Sequence, residues 1–390
     1  MDAAARADGI DAALSNAVRD GLVPGVAAAV TDRSGTIYEG AFGSRVLGRP
    51  EAMTPDSVVW LASMTKAITA VAAMQLVERG RLHLDEAASV MVPDLGAVQV
   101  LEGFDDEGMP RTRPPRRPVT LRHLLTHTAG FADEIWAADI TRFRVARDVP
   151  PLISGLDAAL ATPLLFDPGD EWRYGIGIDW AGKMIEAASG QCLGHYLEEH
   201  VFGPIGMGST AFRLTSDMRS RLAAVHQREA ADVLAPQLEF EIPQDPEFEM
   251  GGGGLYSTAR DYLGFVRMIL DGGRAAGAQV LAPETVHAMS RNAIGRTRVR
   301  AMRSANPGYS LDAEFFPGVD KTWGLSFQIN EQPAPTGRPA GGLMWAGLAN
   351  TYFWIDRTSG IAGVFMTQIL PFADPAALRL YYDFERAFYA

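Results

Sequence analysis

The chain has one cysteine in 390 residues, Cys192, which excludes an internal disulfide and any metal site built from several thiolates. It has only three lysines, Lys66, Lys183 and Lys321, against 32 arginines, and a net charge of −12. That acidic balance argues against nucleic acid, whose phosphates are held by clustered Lys and Arg, and it disfavours the steering of anionic substrates. No apolar run reaches the roughly 18 residues that cross a bilayer, so no membrane-embedded segment is expected. The opening "MDAAARADGIDAALSNAV" carries acids early and reads as an amphipathic helix, without the cationic start and apolar stretch of a secretory signal. These absences together point to a cytoplasmic protein. Also missing are a P-loop, an H-E-x-x-H, a dinucleotide fingerprint and any G-x-S-x-G, which excludes the α/β-hydrolase elbow as a nucleophile site.

With 47% hydrophobic and 21% charged positions, the chain can bury one large core or two joined ones. "PGVAAAVTDRSGTIYEGAFG" (24 to 43) is two short strand-like runs about a turn at Asp32 to Gly35. "SVVWLA" is a further strand-like piece that runs into a helix near Ser63. From 120 to 235 the pattern reads as helical throughout, with "TLRHLLTHTAG" opening on a Thr120 cap and "IDWAGKMIEAASG" stopping at Gly190. "YSTARDYLGFVRMILDGG" is a helix with Thr258 and Asp261 placed as a capping box. Strands return as "WGLSFQI", "TYFWID" and "IAGVFMTQ", and a helix from about Pro375 closes the chain. Strands at both ends with helices between them give an α/β sheet domain, residues 1–62 and 240–390, interrupted by a mainly helical domain, 63–239, with a site at their interface. The Pro-rich, acidic-then-basic stretch 103–118 reads as a solvated surface loop.

The residues that carry chemistry begin with "LASMTKAI" (61 to 68). On a helix, Ser63 and Lys66 share a side that is otherwise apolar, with Ala67, Ala70, Met74 and Val77. The opposite side is apolar too, which marks the helix as buried. Lys is almost never buried without a partner or a purpose. A lysine deprived of water can release its proton near neutral pH, whereas a guanidinium keeps its own. A serine hydroxyl is a poor nucleophile until a neighbouring base takes its proton, and one helical turn places that base. The serine also sits where a strand-like run meets a helix, so free N–H groups would face a developing oxyanion. The competing reading is a capping serine and a lysine that snorkels to the surface.

"SMTK", then "RYGIGIDWAG", then "MWAGLANTYFWID", with "LRHLLTHTAGF" and "GGGGLYSTARDY" between, resemble the serine β-lactamase and penicillin-binding-protein superfamily, and within it the class C β-lactamase-like esterases called family VIII carboxylesterases. The resemblance spans roughly residues 10 to 388. It implies a β-lactamase-like fold, an antiparallel sheet flanked by helices with an inserted helical domain, and it implies Ser63 as nucleophile, Lys66 as the lysine of the first motif and Tyr174 as the tyrosine of the second. An amine and a phenol held together can share one proton, as general base toward the serine and then as acid toward the leaving group.

The third motif departs from the β-lactamase pattern. Where those enzymes place a cationic Lys or His, a hydroxyl residue and Gly, this chain has Trp345, Ala346 and Gly347. An indole cannot pair with a carboxylate, so β-lactam acids and peptides ending in D-alanine should be poor substrates. Ile176 stands where an amide side chain is usual, and Asp179 follows the tyrosine at the esterase spacing. Trp345, Gly347, Ile176 and Asp179 are therefore expected at the substrate. The Leu348 amide, with that of Ser63, would form the oxyanion hole, and Gly347 leaves room for it. His127 reads as a structural histidine ending a helix. Gly251 to Gly254 read as a backbone bend beside the site. Trp136, Phe131 and Trp323 could line an acyl pocket but read individually as core. The expectation is a carboxylesterase acting on small-molecule esters of small to medium uncharged acids through an acyl-enzyme, without metal or cofactor. β-Lactam or D-amino-acid peptide hydrolysis, acyl transfer, and a binding protein that no longer turns over are its rivals.

Overall fold

A computed structural model describes residues 3–231 and 233–389. Seven strands form one sheet: β1 (Gly25–Asp32), β2 (Thr36–Gly43), β3 (Lys321–Trp323), β4 (Gln328–Asn330), β5 (Leu343–Gly347), β6 (Thr351–Asp356) and β7 (Ile361–Met366). Their order is β3-β4-β5-β6-β7-β1-β2, and every neighbouring pair is antiparallel. Two hairpins close on Asp-led turns. Asp32 accepts the N–H groups of Ser34 and Gly35, and Asp356 those of Thr358 and Ser359.

Five helices matter for the site: α1 (Ala3–Arg19), α2 (Thr65–Glu78), α3 (Gly177–Ser189), α4 (Ala259–Leu270) and α5 (Pro375–Arg386). The two-residue period of β6 distributes them over the sheet. Tyr352 and Trp354 point to one face and meet Tyr381 of α5, while Phe353 points to the other and meets Tyr262 of α4. α1 lies beside α5 and against β2. α2 is buried along its length from Thr65 to Leu76 and packs on α3. No described helix is long and apolar enough to cross a membrane.

Five expectations require correction. "WGLSFQI" is two strands, β3 and β4, folded back at a turn in which Ser326 takes a φ of +79°. The stretch 120–235 is not all helical: Val225–Ala230 and Val233–Gln237 pair with each other, and the first pairs in parallel with Ile369–Leu370. That partner lies far along the chain, so no local pattern announces it. The helix after Thr120 opens on the expected cap but lasts a single turn, Leu121–Leu125, before the chain turns aside with His127 at a φ of +57°. The stretch 103–118 is no free loop. Part of it forms a hairpin, Val100–Phe104 with Pro110–Arg113, and the Arg113 guanidinium with the Arg116 amide grips Asp167, holding that carboxyl far below the usual range.

The Thr258 cap is present, accepting from the Asp261 amide, but Asp261 does not complete the box. Its carboxylate instead accepts from the Ser209 amide and the Thr210 hydroxyl, tying α4 to the preceding connection.

Candidate active site

Ser63 sits in a tightly fastened turn. The chain leaves the short strand Val59–Trp60, passes through one 3-10 turn at Ala62–Met64 and enters α2. Ala62 takes a φ of +46°, which an L residue adopts only when its surroundings impose it. The surroundings do so through distant segments. Trp60 exchanges hydrogen bonds with Gln368, its indole donates to Gly253 O at 2.7 Å, and the Tyr262 hydroxyl donates to Met64 O at 2.9 Å.

Lys66 is buried at 5% exposure. Its Nζ donates to Ser63 Oγ at 3.2 Å and to Gly252 O at 2.5 Å, and it lies 4.9 Å from the centre of the Tyr174 ring. Gly252 joins the two side chains, because its N–H donates to Asp179 Oδ1 at 2.9 Å while its carbonyl accepts from Lys66 Nζ. Only glycine fits there: a Cβ would stand 2.4 Å from Asp179 Oδ2. Burial raises the Asp179 carboxyl, and the Lys66 charge and the Gly252 N–H pull the other way. Asp133, on the same cavity, is pushed up to about 7, first by burial and then by the charge of Glu134.

Tyr174 is set by aromatic neighbours. Its ring packs on His127, Trp345 and Trp136, with centroids 4.6, 4.9 and 5.3 Å away. Trp345 Nε1 donates to Tyr174 Oη at 3.1 Å, so the indole that replaces the usual cation touches the phenol. Tyr174 Oη makes no hydrogen bond to Ser63 or Lys66. His127 accepts the Gly175 N–H on Nδ1 at 3.4 Å, and burial, followed by the Lys66 charge, holds it well below its usual value, so the ring is neutral.

Gly347 brings β5 against the Ser63 turn. A Cβ on it would lie 2.1 Å from Leu61 O and 2.3 Å from Thr351 Oγ1. Leu348 follows in a turn, and among the described residues neither its amide nor that of Ser63 has a backbone acceptor.

A cavity of about 200 Å³ brings together Ser63, Lys66, Asp179, Leu348, Gly252 and Gly253. Trp345, Gly347 and Ile176 are buried outside its lining. Phe131 and Trp323 are core, whereas Trp136 is half-buried and lines the cavity. Sequence reasoning missed Asp133, Ile135, Leu152, Ile153 and Tyr309, which add to the wall from two turns and the short 3-10 helix Leu152–Ser154. Only the acid pair within "FADEIW" hinted at them.

This sheet, with a serine and a buried lysine one turn apart against β5, defines a serine hydrolase or acyltransferase of β-lactamase-like fold. The chain belongs to the Beta-lactamase family, which it matches over residues 10–388. It is 33% identical over 412 aligned positions to a monacolin J acid methylbutanoyltransferase of Aspergillus terreus, covering 100% of this chain and 98% of that protein. It is 30% identical to a lovastatin esterase of Penicillium rubens, covering 93% of each. The unliganded simvastatin synthase of Aspergillus terreus superposes with a TM-score of 0.85 at 30% identity, covering 99% of this chain and 98% of that one.

Proposed function

We propose that the chain cleaves a small-molecule carboxylic ester through an acyl-Ser63 intermediate and passes the acyl group to an alcohol or to water. The observation that carries this reading is the 3.2 Å contact between Ser63 Oγ and the buried Lys66 Nζ. In the first half-reaction Ser63 Oγ bonds to the carbonyl carbon, and its proton passes to the Lys66 and Tyr174 pair. The carbonyl oxygen becomes an oxyanion facing the amides of Ser63 and Leu348. The carbon–oxygen bond to the leaving group then breaks, and that oxygen takes the proton. In the second half an alcohol or water repeats the sequence in reverse.

Hydrolysis and transfer share every one of these residues and differ in what intercepts the acyl-enzyme. Relatives of both kinds, a methylbutanoyltransferase and an esterase, stand at 33% and 30% identity. The cavity favours transfer: Trp60, Ile135, Trp136, Leu152, Ile153 and Ile242 offer an alcohol of apolar skeleton a surface that water cannot use. p-Nitrophenyl butyrate should be turned over by the wild type and not by Ser63→Ala or, to within about 10²-fold, by Tyr174→Phe. An added primary alcohol should divert butyrate into its ester. Unchanged activity in Ser63→Ala overturns the reading, and nitrocefin turnover as efficient as ester turnover would favour a β-lactamase instead.

A further inference from the structure

On the other flank of Tyr174 lies a second and larger cavity, of about 550 Å³. Trp136 lines both cavities, and Tyr174 forms part of the wall of this one. Its charge opposes that of the molecule. The chain carries −12 overall, yet five arginines, Arg173, Arg296, Arg298, Arg300 and Arg303, line this space with only two carboxylates, Asp170 and Glu171.

The partners of these groups decide which charge is free. Asp170 pairs with Arg117 at 2.5 Å, Glu171 lies 4.0 Å from Arg173, and Arg303 pairs with Asp312 at 2.6 Å. Arg298 holds its own loop, donating to the carbonyls of Gly295 and Thr297. Arg296 and Arg300 remain, both exposed, with no carboxylate in ion-pair contact among the described residues. Two unpaired guanidinium forks lining one cavity suit the oxygens of a phosphate better than a single carboxylate. The net charge sets the distant field, whereas within a Debye length, about 8 Å at physiological salt, these arginines set the local one.

We infer that Arg296 and Arg300 hold a phosphate carried on the leaving-group half of the acyl donor. This rests on the reading of Tyr174 as proton carrier, because the group that protonates the departing atom must stand on the leaving group's side. The leaving group then extends past Tyr174 and Trp136 into the arginine cavity, while the acyl carbon stays on Ser63.

Three aryl butyrates that differ only in a para substituent test this: a phosphomethyl, a carboxymethyl and a hydroxymethyl group. The wild type should prefer the phosphate over the hydroxymethyl ester by at least about tenfold in kcat/KM, as two charge-assisted contacts allow, with the carboxylate between. Arg296→Ser with Arg300→Ser should bring the ratio to within about twofold and leave the hydroxymethyl ester unaffected, Arg298 being retained so that the loop keeps its shape. Raising the salt should erode the wild-type preference. Equal rates on all three esters, a preference that survives the double variant, or carboxylate preferred over phosphate would each overturn the assignment. If no ester is turned over, the reading of Ser63 fails, and calorimetry with inorganic pyrophosphate tests the cavity separately: binding lost in the double variant supports it, and no binding to the wild type overturns it.

Discussion

Ser63 Oγ and Lys66 Nζ stand 3.2 Å apart where a 3-10 turn runs into the buried helix α2, and the same lysine nitrogen is held by the Gly252 carbonyl. The fixed carbonyl aims the nitrogen, so the geometry does not depend on substrate. Arginine at this position would keep a positive charge but could not give up its proton. Lys66→Arg should therefore lose at least about 10²-fold in kcat/KM on p-nitrophenyl butyrate while the circular dichroism of the fold stays the same. Retention of wild-type efficiency would remove lysine from the proton pathway.

This pair was legible in the sequence because a chain of 32 arginines keeps a lysine in an apolar helix. The first hairpin was legible too, since the turn at Asp32 to Gly35 separates two strand-like runs. What could not be read were contacts between distant segments. Trp345 and Tyr174 are 171 positions apart, and nothing near either residue announces that the indole donates to the phenol. Asp133 and Tyr309 reach the cavity from irregular stretches, where side-chain direction follows the tertiary path rather than a period. "WGLSFQI" misled because its composition suits a strand throughout, while the pairing with β5 requires a turn in its middle.

The Trp345 indole gives a second prediction. By donating to Tyr174 Oη at 3.1 Å it orients the phenol. Trp345→Phe keeps most of the packing against Tyr174 and Trp323 but removes the donor. One lost hydrogen bond to a group that gains charge corresponds to about 1.5–3 kcal/mol, so kcat should fall roughly 10- to 100-fold with KM nearly unchanged. A large rise in KM with kcat intact would instead place the indole against the substrate.

Gly347 is a steric prediction. Leu61 O lies 2.1 Å from where a Cβ would stand, and both are backbone-anchored, so no side chain can swing aside. Gly347→Ala should push β5 from the Ser63 turn and move the Leu348 amide from the position where an oxyanion would form. Loss of one such donor typically costs about 10²–10³ in kcat. The measurement is the acylation rate by stopped flow, paired with a melting curve, since overpacking should also cost about 1–3 kcal/mol of stability. Normal acylation in a folded variant would remove Leu348 from the oxyanion hole.

Asp133 offers a test by pH. Its carboxyl is raised from an ordinary value near 3.8 to about 7, mainly by burial and next by Glu134. Between those two values the folded state holds a proton that the unfolded chain has released, so stability falls as pH rises through this window and is lowest above it. Asp133→Asn removes the titration while keeping the shape. Relative to wild type, its melting temperature should therefore be higher at pH 8 than at pH 5, with the gap opening between the two. Comparison with the variant is necessary because His123, His200 and His226, all lowered by burial, act in the opposite sense over the same range: each is protonated in the unfolded chain below its ordinary value and resists protonation when folded. Those histidines are common to both proteins and cancel in the difference. A gap that stays constant from pH 5 to pH 8 would mean that Asp133 is already ionised in the folded protein, with Lys66 rather than a proton balancing its charge.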